Sequence, residues 1–167
     1  MKEEFYGKYR GTVTDIEDPL MLGRIKAKVP DVLGDIESGW ALPCAPFGGS
    51  GNGFFVLPSD GAMVWIEFEQ GNPARPIWSG CMWTNSLDMP PILIAPPYKK
   101  LLIVTAGGNR VLLDDTPGIG GITLETAGGQ KIEMTPLKVE ISNGMGATIS
   151  MQGPKISFNN GALEILF

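Results

Sequence analysis

The last third of the chain, from about residue 101 onward, constrains the fold more than any other stretch. Short units carrying two apolar side chains recur there: Ile122-Thr-Leu124, Ile132-Glu-Met134, Val139-Glu-Ile141, Ile149-Ser-Met151, Ile156-Ser-Phe158 and Leu163-Glu-Ile165. Their first members follow one another at steps of 10, 7, 10, 7 and 7 residues. Apolar and polar side chains alternate within each unit, so each reads as a strand with one apolar face. Gly128-Gly129, Gly144, Gly146, Gly153-Pro154 and Gly161 stand between the units as turns. No segment of helical period accompanies them to cover the apolar faces. One chain of such strands does not close a core of its own; several copies winding together into a rod would.

The 167 residues make one domain or two small ones. Their 23 Gly and 14 Pro lack a collagen period and are interleaved with strand-like runs, which argues for many turns and an all-β chain. A net charge of -5 with no basic run argues against nucleic acid or an anionic membrane surface as the main partner. Two cysteines, Cys44 and Cys81, are too few for a disulfide scaffold in a chain this long, and they read as buried free thiols of a reducing cytoplasm. Met1-Lys-Glu-Glu leads into no apolar signal core, and no apolar run reaches membrane-spanning length.

Residues 1–86 read as a first domain. Strands are expected over Tyr6–Glu17, Gly23–Val29, Trp40–Pro43, Phe54–Leu57, Ala62–Glu69 and Pro76–Trp83, with Phe47–Gly53 a flexible loop. In the second strand Ile25, Ala27 and Val29 face one way, and Arg24, Lys26 and Lys28 the other. Short strands separated by Gly/Pro turns suggest a small antiparallel barrel such as an OB-fold. Residues 87–100 read as an extended, Pro-rich linker. Residues 101–167 form the repeating block, which stops on Leu163-Glu-Ile-Leu-Phe167 without a polar cap, so another protein is expected to cover that end.

Chemistry is sparse. With no histidine there is no Ser-His-Asp or Cys-His arrangement, and most zinc sites are excluded. The glycines at 48–53 lack the Lys-Ser/Thr of a phosphate-binding loop and open no helix. Asp114-Asp115 precedes Thr116-Pro-Gly118 and reads as a turn. Trp40, Trp65, Trp78 and Trp83 read as buried in the barrel or at a subunit contact. The Arg24-Lys26-Lys28 stripe reads as a solvated strand face.

The order of segments is more telling. Tyr9-Arg-Gly-Thr-Val13 is followed by Gly23-Arg-Ile-Lys-Ala-Lys-Val-Pro30, Trp40-Ala-Leu-Pro43, Pro58-Ser-Asp-Gly-Ala-Met-Val-Trp-Ile-Glu-Phe68, Asn72-Pro73 and Pro76-Ile-Trp-Ser-Gly80. Gly107-Gly-Asn-Arg-Val-Leu-Leu-Asp-Asp-Thr-Pro-Gly118 and the stretch Gly121–Met134 continue the pattern. Over residues 5–167 this resembles the phage baseplate spike family, also called baseplate assembly protein V or the VgrG-like spike. The resemblance implies an N-terminal OB-fold barrel followed by an intertwined trimeric triple-stranded β-helix, a triangular β-prism.

It further implies a homotrimeric, non-enzymatic puncturing needle of a contractile tail or related injection system, assembled in the bacterial cytoplasm. Its partners would be a trimeric hub protein, a PAAR-type tip protein and, transiently, a target-cell membrane. Cofactors, metals and nucleic acid are not expected. The chain carries no lysozyme domain between barrel and needle and no hub region, so the hub is expected to be a separate protein. Ile122, Leu124, Ile132, Met134, Val139, Ile141, Ile149, Met151, Ile156 and Phe158 are expected to line the trimer core. Leu163, Ile165 and Phe167 are expected to dock the tip protein. Two alternatives stand beside this reading: a β-helical polysaccharide-degrading enzyme, which needs a carboxylate-lined groove, and an OB-fold nucleic-acid-binding module.

Overall fold

A computed structural model describes residues 3–91 and 99–166. The chain divides into two compact units, Met1–Asp88 and Met89–Phe167.

The first unit contains β1 (Tyr9–Asp15), β2 (Lys26–Lys28), a helical turn α1 (Pro30–Leu33), β3 (Leu42–Pro43), β4 (Gly48–Gly49), β5 (Asn52–Gly53), β6 (Met63–Phe68) and β7 (Pro76–Cys81). Five of these strands form a half-barrel sheet in the order β2-β1-β6-β7-β3, antiparallel except for β3 beside β7. The period-2 pattern decides which side chains go inside. In β6, Val64, Ile66 and Phe68 are buried while Met63, Trp65 and Glu67 stay half-exposed. Ile25, Ala27 and Val29 join them in the core with Val13, Ala41 and Trp78. Gly11 allows β1 to approach closely, because a Cβ there would lie 2.9 Å from Ile66 Cγ1.

The buried Trp78 indole N–H donates to the Gly23 carbonyl at 3.1 Å. Trp78→Phe removes that donor and leaves a buried acceptor unpaired. It should lower the unfolding free energy of this unit by about 1–3 kcal/mol, read from urea denaturation.

Several expectations are corrected here. Phe54–Leu57 is not a strand. It makes one ladder-like bond, from the Phe54 N–H to the Phe47 carbonyl, and Phe54, Phe55 and Val56 remain exposed. The glycine-rich loop before it is a two-rung hairpin, Gly48 opposite Gly53 and Gly49 opposite Asn52. Cys44 and Cys81 are free, as expected, but exposed rather than buried. They sit just after β3 and at the end of β7, where the apolar interior has ended. Of the tryptophans only Trp78 is buried, and Trp83 is 59% exposed. Leu87 and Asp88 lie in a turn rather than an extended linker: the Asp88 carboxylate accepts from the Thr84 N–H and hydroxyl and the Asn85 amide. Residues 92–98 of the expected linker lie outside the described residues.

The second unit is one eight-stranded antiparallel meander. Its strands are β8 (Lys100–Val104), β9 (Arg110–Asp114), β10 (Gly121–Glu125), β11 (Lys131–Met134), β12 (Val139–Ser142), β13 (Thr148–Gln152), β14 (Lys155–Phe158) and β15 (Leu163–Leu166). The six recurring units of the sequence are β10 to β15. The structure differs from the expected interwinding in one respect: the ladder bonds of these strands run within the chain, each strand to its sequence neighbour. The reason is connection length. Two to six residues join successive strands, which suits hairpins and cannot carry a crossover. Other copies are therefore not needed to complete the ladders. What the single chain leaves uncovered is a face.

Candidate functional site

The register of the meander lines up its apolar side chains. Directly opposed residues in antiparallel strands share a face, with Cβ atoms about 4.5–5.5 Å apart. One row runs Leu101, Leu113, Ile122, Met134, Val139, Met151, Ile156, Ile165. A second, two residues along each strand, runs Ile103, Val111, Leu124, Ile132, Ile141, Ile149, Phe158, Leu163. Both rows are apolar at every strand, yet they are not covered by the chain itself. Ile122 and Ile132 are each 39% exposed, Ile141 is 45% exposed and Leu163 is 59% exposed. A continuous apolar sheet face of this extent marks an interaction surface rather than a solvent-facing side.

Apart from Leu102, Val104, Leu112 and Leu166, the opposite face is polar and charge-paired. Lys100 pairs with Asp114, Arg110 with Glu125, Lys138 with Glu133 and Glu140, Lys131 with Glu133, and Lys155 with Glu164. The hydrogen bond from Lys138 to Glu140 raises the lysine's pKa. Bonds from the Thr116 hydroxyl and N–H, with Lys100 nearby, hold the Asp114 carboxyl below its ordinary range. The Asp114-Asp115 pair thus serves a turn. Each pair is partly solvated and adds little singly; together they keep this face wet while the other is free to be buried.

All ten residues expected in the core of an assembly fall on the apolar face, as do Leu163 and Ile165 of the expected tip surface. Phe167 lies outside the described residues. The sequence reading missed Leu101, Ile103, Val111 and Leu113. The signal was present, but Leu102 and Leu112 on the other face made Leu101–Val104 and Val111–Leu113 continuous apolar runs and hid the alternation.

In the first unit, the loop between β1 and β2 is held by one carboxylate. Asp18 accepts from the backbone N–H groups of Leu20 (3.0 Å), Leu22 (2.8 Å) and Arg24 (3.3 Å), and from the Arg24 guanidinium. The Arg24 contact, foremost, holds the Asp18 carboxyl well below the usual range. Its stabilising effect is therefore complete above the unfolded carboxyl pKa of about 3.9 and is lost as pH falls below that value. Asp18→Asn should flatten the acid limb of this unit's stability below about pH 4, measured by thermal melts across pH. The clamp presents Leu20, Met21 and Leu22 to solvent, with Met21 at φ 54°. Phe55 packs beside Gly23 at the base of the loop.

The basic stripe is largely neutralised. Arg24 is bound by Asp18, Lys26 pairs with Asp15 and Glu37, and both cations lie over the Trp40 ring, at 5.5 and 4.8 Å. Lys28 is the one member without an ion-pair partner among the described residues. That leaves little free charge for a phosphate backbone.

Comparison with known families assigns both units. The Type VI secretion system/phage-baseplate injector OB domain matches residues 9–83. The phage baseplate V C-terminal trimerisation domain matches residues 100–164. No curated protein matches the chain. The first match agrees with the half-barrel, and the second supports homotrimer formation through the unit that bears the open apolar face. Both are structural baseplate domains, which gives the chain a spike-like structural role in a phage tail or injection system. With an injector OB domain followed by a baseplate V trimerisation domain, this chain belongs to the phage baseplate spike family.

Proposed function

We propose that three copies pack their β8–β15 sheets with the apolar rows inward, forming a stiff needle that punctures a target-cell membrane when a sheath contracts. The observation that carries this reading is the pair of unbroken apolar rows on one face, set against an ion-paired face on the other. Such a needle must resist axial load without unravelling. Its ladders are completed within each chain, and burying the facing rows stabilises the assembly by up to about 1.5–3 kcal/mol per fully buried large side chain. Folding of the second unit and trimerisation are then linked by mass action.

In this reading the OB units form a collar that docks on a trimeric hub, and the exposed Leu20–Leu22 loop with Phe55 is the apolar surface available for it. Leu163, Ile165 and Phe167 dock a PAAR-type tip protein. The particle is assembled in the bacterial cytoplasm. The chain is not an enzyme: the role is mechanical, and most of the shaft carboxylates are committed to ion pairs rather than to a cleft.

Deleting residues 163–167 tests the distal assignment. The truncated protein should remain trimeric and lose at least about tenfold in affinity for the tip protein of its own particle, measured by calorimetry. Unchanged tip affinity would remove these residues from the docking surface.

A further inference from the structure

The edges of the meander carry apolar side chains that neither the ladders nor the inward rows use. Turns alternate between the two sides of the sheet because the strands are antiparallel. One side bears the β9–β10 and β11–β12 turns, and the other bears the β8–β9, β10–β11 and β12–β13 turns. Turn tips are normally polar. Here Ile119 and Leu137 project from the first side at 77% and 71% exposure, and Met145 projects from the second at 82%. The second side is also built as a rigid column. The Asn109 side-chain carbonyl accepts from the Ala127 N–H of the next turn at 3.1 Å, and Asn159 does the same for Thr148. Gly129 and Gly144 bring the β10–β11 and β12–β13 turns close together backbone to backbone.

Besides the inward rows that meet around the axis, three sheets closed around a threefold axis meet along their edges. Cyclic symmetry makes that contact heterologous, one side of each sheet against the other side of its neighbour. The turns bearing Leu137 and Met145 both flank β12, one strand spacing apart along the sheet, about 4.8 Å. We propose that at each corner of the trimer the Leu137 turn of one copy packs against the Met145 turn of the next, an apolar clasp that closes the prism. This rests on the inward-facing trimer proposed above. The occupant is a second copy of this chain, because the contact continues the face of the trimerisation domain to its rim.

Cysteine cross-linking tests it. The variant Leu137→Cys/Met145→Cys is made with Cys44→Ser and Cys81→Ser, since both native thiols are exposed. Within one chain the four residues of β12 separate the two turns by about 13 Å, past the roughly 7 Å Cα limit for a disulfide. Mild oxidation should therefore give covalent trimers on a non-reducing denaturing gel, while either single cysteine gives none. A variant that is trimeric in solution yet stays monomeric on the gel overturns the clasp and leaves the trimer standing. Covalent dimers from a single cysteine also overturn it, since like turns would then meet. A monomer in solution, with the unsubstituted protein monomeric too, overturns the trimer and the clasp together.

Discussion

Ile141→Asp should abolish trimer assembly while leaving the OB unit folded. Ile141 lies mid-sheet, opposite Ile132 on one side and Ile149 on the other. In the trimer proposed above, its three copies would face one dry axis. Moving a carboxylate into such a site costs several kcal/mol per ion even after relaxation, and here three like charges would converge. No lysine or arginine lies in either apolar row to pair with them. The control is Glu140→Ala, one residue away on the charged face. It removes a surface ion pair and should cost no more than about 1 kcal/mol. Gel filtration separates the outcomes. A trimeric Ile141→Asp protein would place this residue outside the core, and loss of the trimer in both variants would show that the two faces are not distinct.

The second large effect is expected from a single methyl group. Gly121 begins β10 opposite Asp114, and a Cβ there would overlap the Met134 carbonyl oxygen and approach Thr135 Cα to 3.1 Å. Backbone, not a flexible side-chain end, stands in the way. Gly121→Ala must therefore push β10 from β11 and break the register that aligns Ile122 with Met134 and Leu124 with Ile132. A shift there cuts both apolar rows in the middle of the sheet. The loss should reach or exceed the about 1–3 kcal/mol usual for overpacking, counted per chain. Gly107→Ala is the paired control. Its Cβ would meet nothing nearer than Thr105 Oγ1 at 3.9 Å, so its effect should stay within about 0.5 kcal/mol. Chemical denaturation of the two variants compares them directly. Equal midpoints would mean that the β10–β11 approach is looser than the structure gives.

Much of the apolar face was legible because period-2 alternation survives in six short units separated by glycine turns. Ile132-Glu-Met134 and Val139-Glu-Ile141 can be read as one-faced strands without knowing what lies beside them. What alternation does not carry is strand pairing. The same units suit chains wound through one another or a single meander, and the short connections favour hairpins. At β8 and β9 the pattern fails because Leu102 and Leu112 are apolar on the charged face as well. The OB core at Ile25, Ala27 and Val29 was readable for the same reason as the strands of the second unit. The Asp18 clamp was not, because it depends on three backbone N–H groups turning toward one carboxylate, and composition holds no trace of that. Phe54–Leu57 misled in the other direction. It has the composition of a strand, but no strand of the half-barrel lies beside it to complete a ladder.

The apolar face is open in the single chain and needs threefold company to be hidden from water. Sedimentation equilibrium of the 167-residue protein at micromolar concentration measures that need with no assumption about shape. The account predicts a mass three times the 17.9 kDa of one chain. A species at the mass of one chain, with the second unit still folded by circular dichroism, would contradict it.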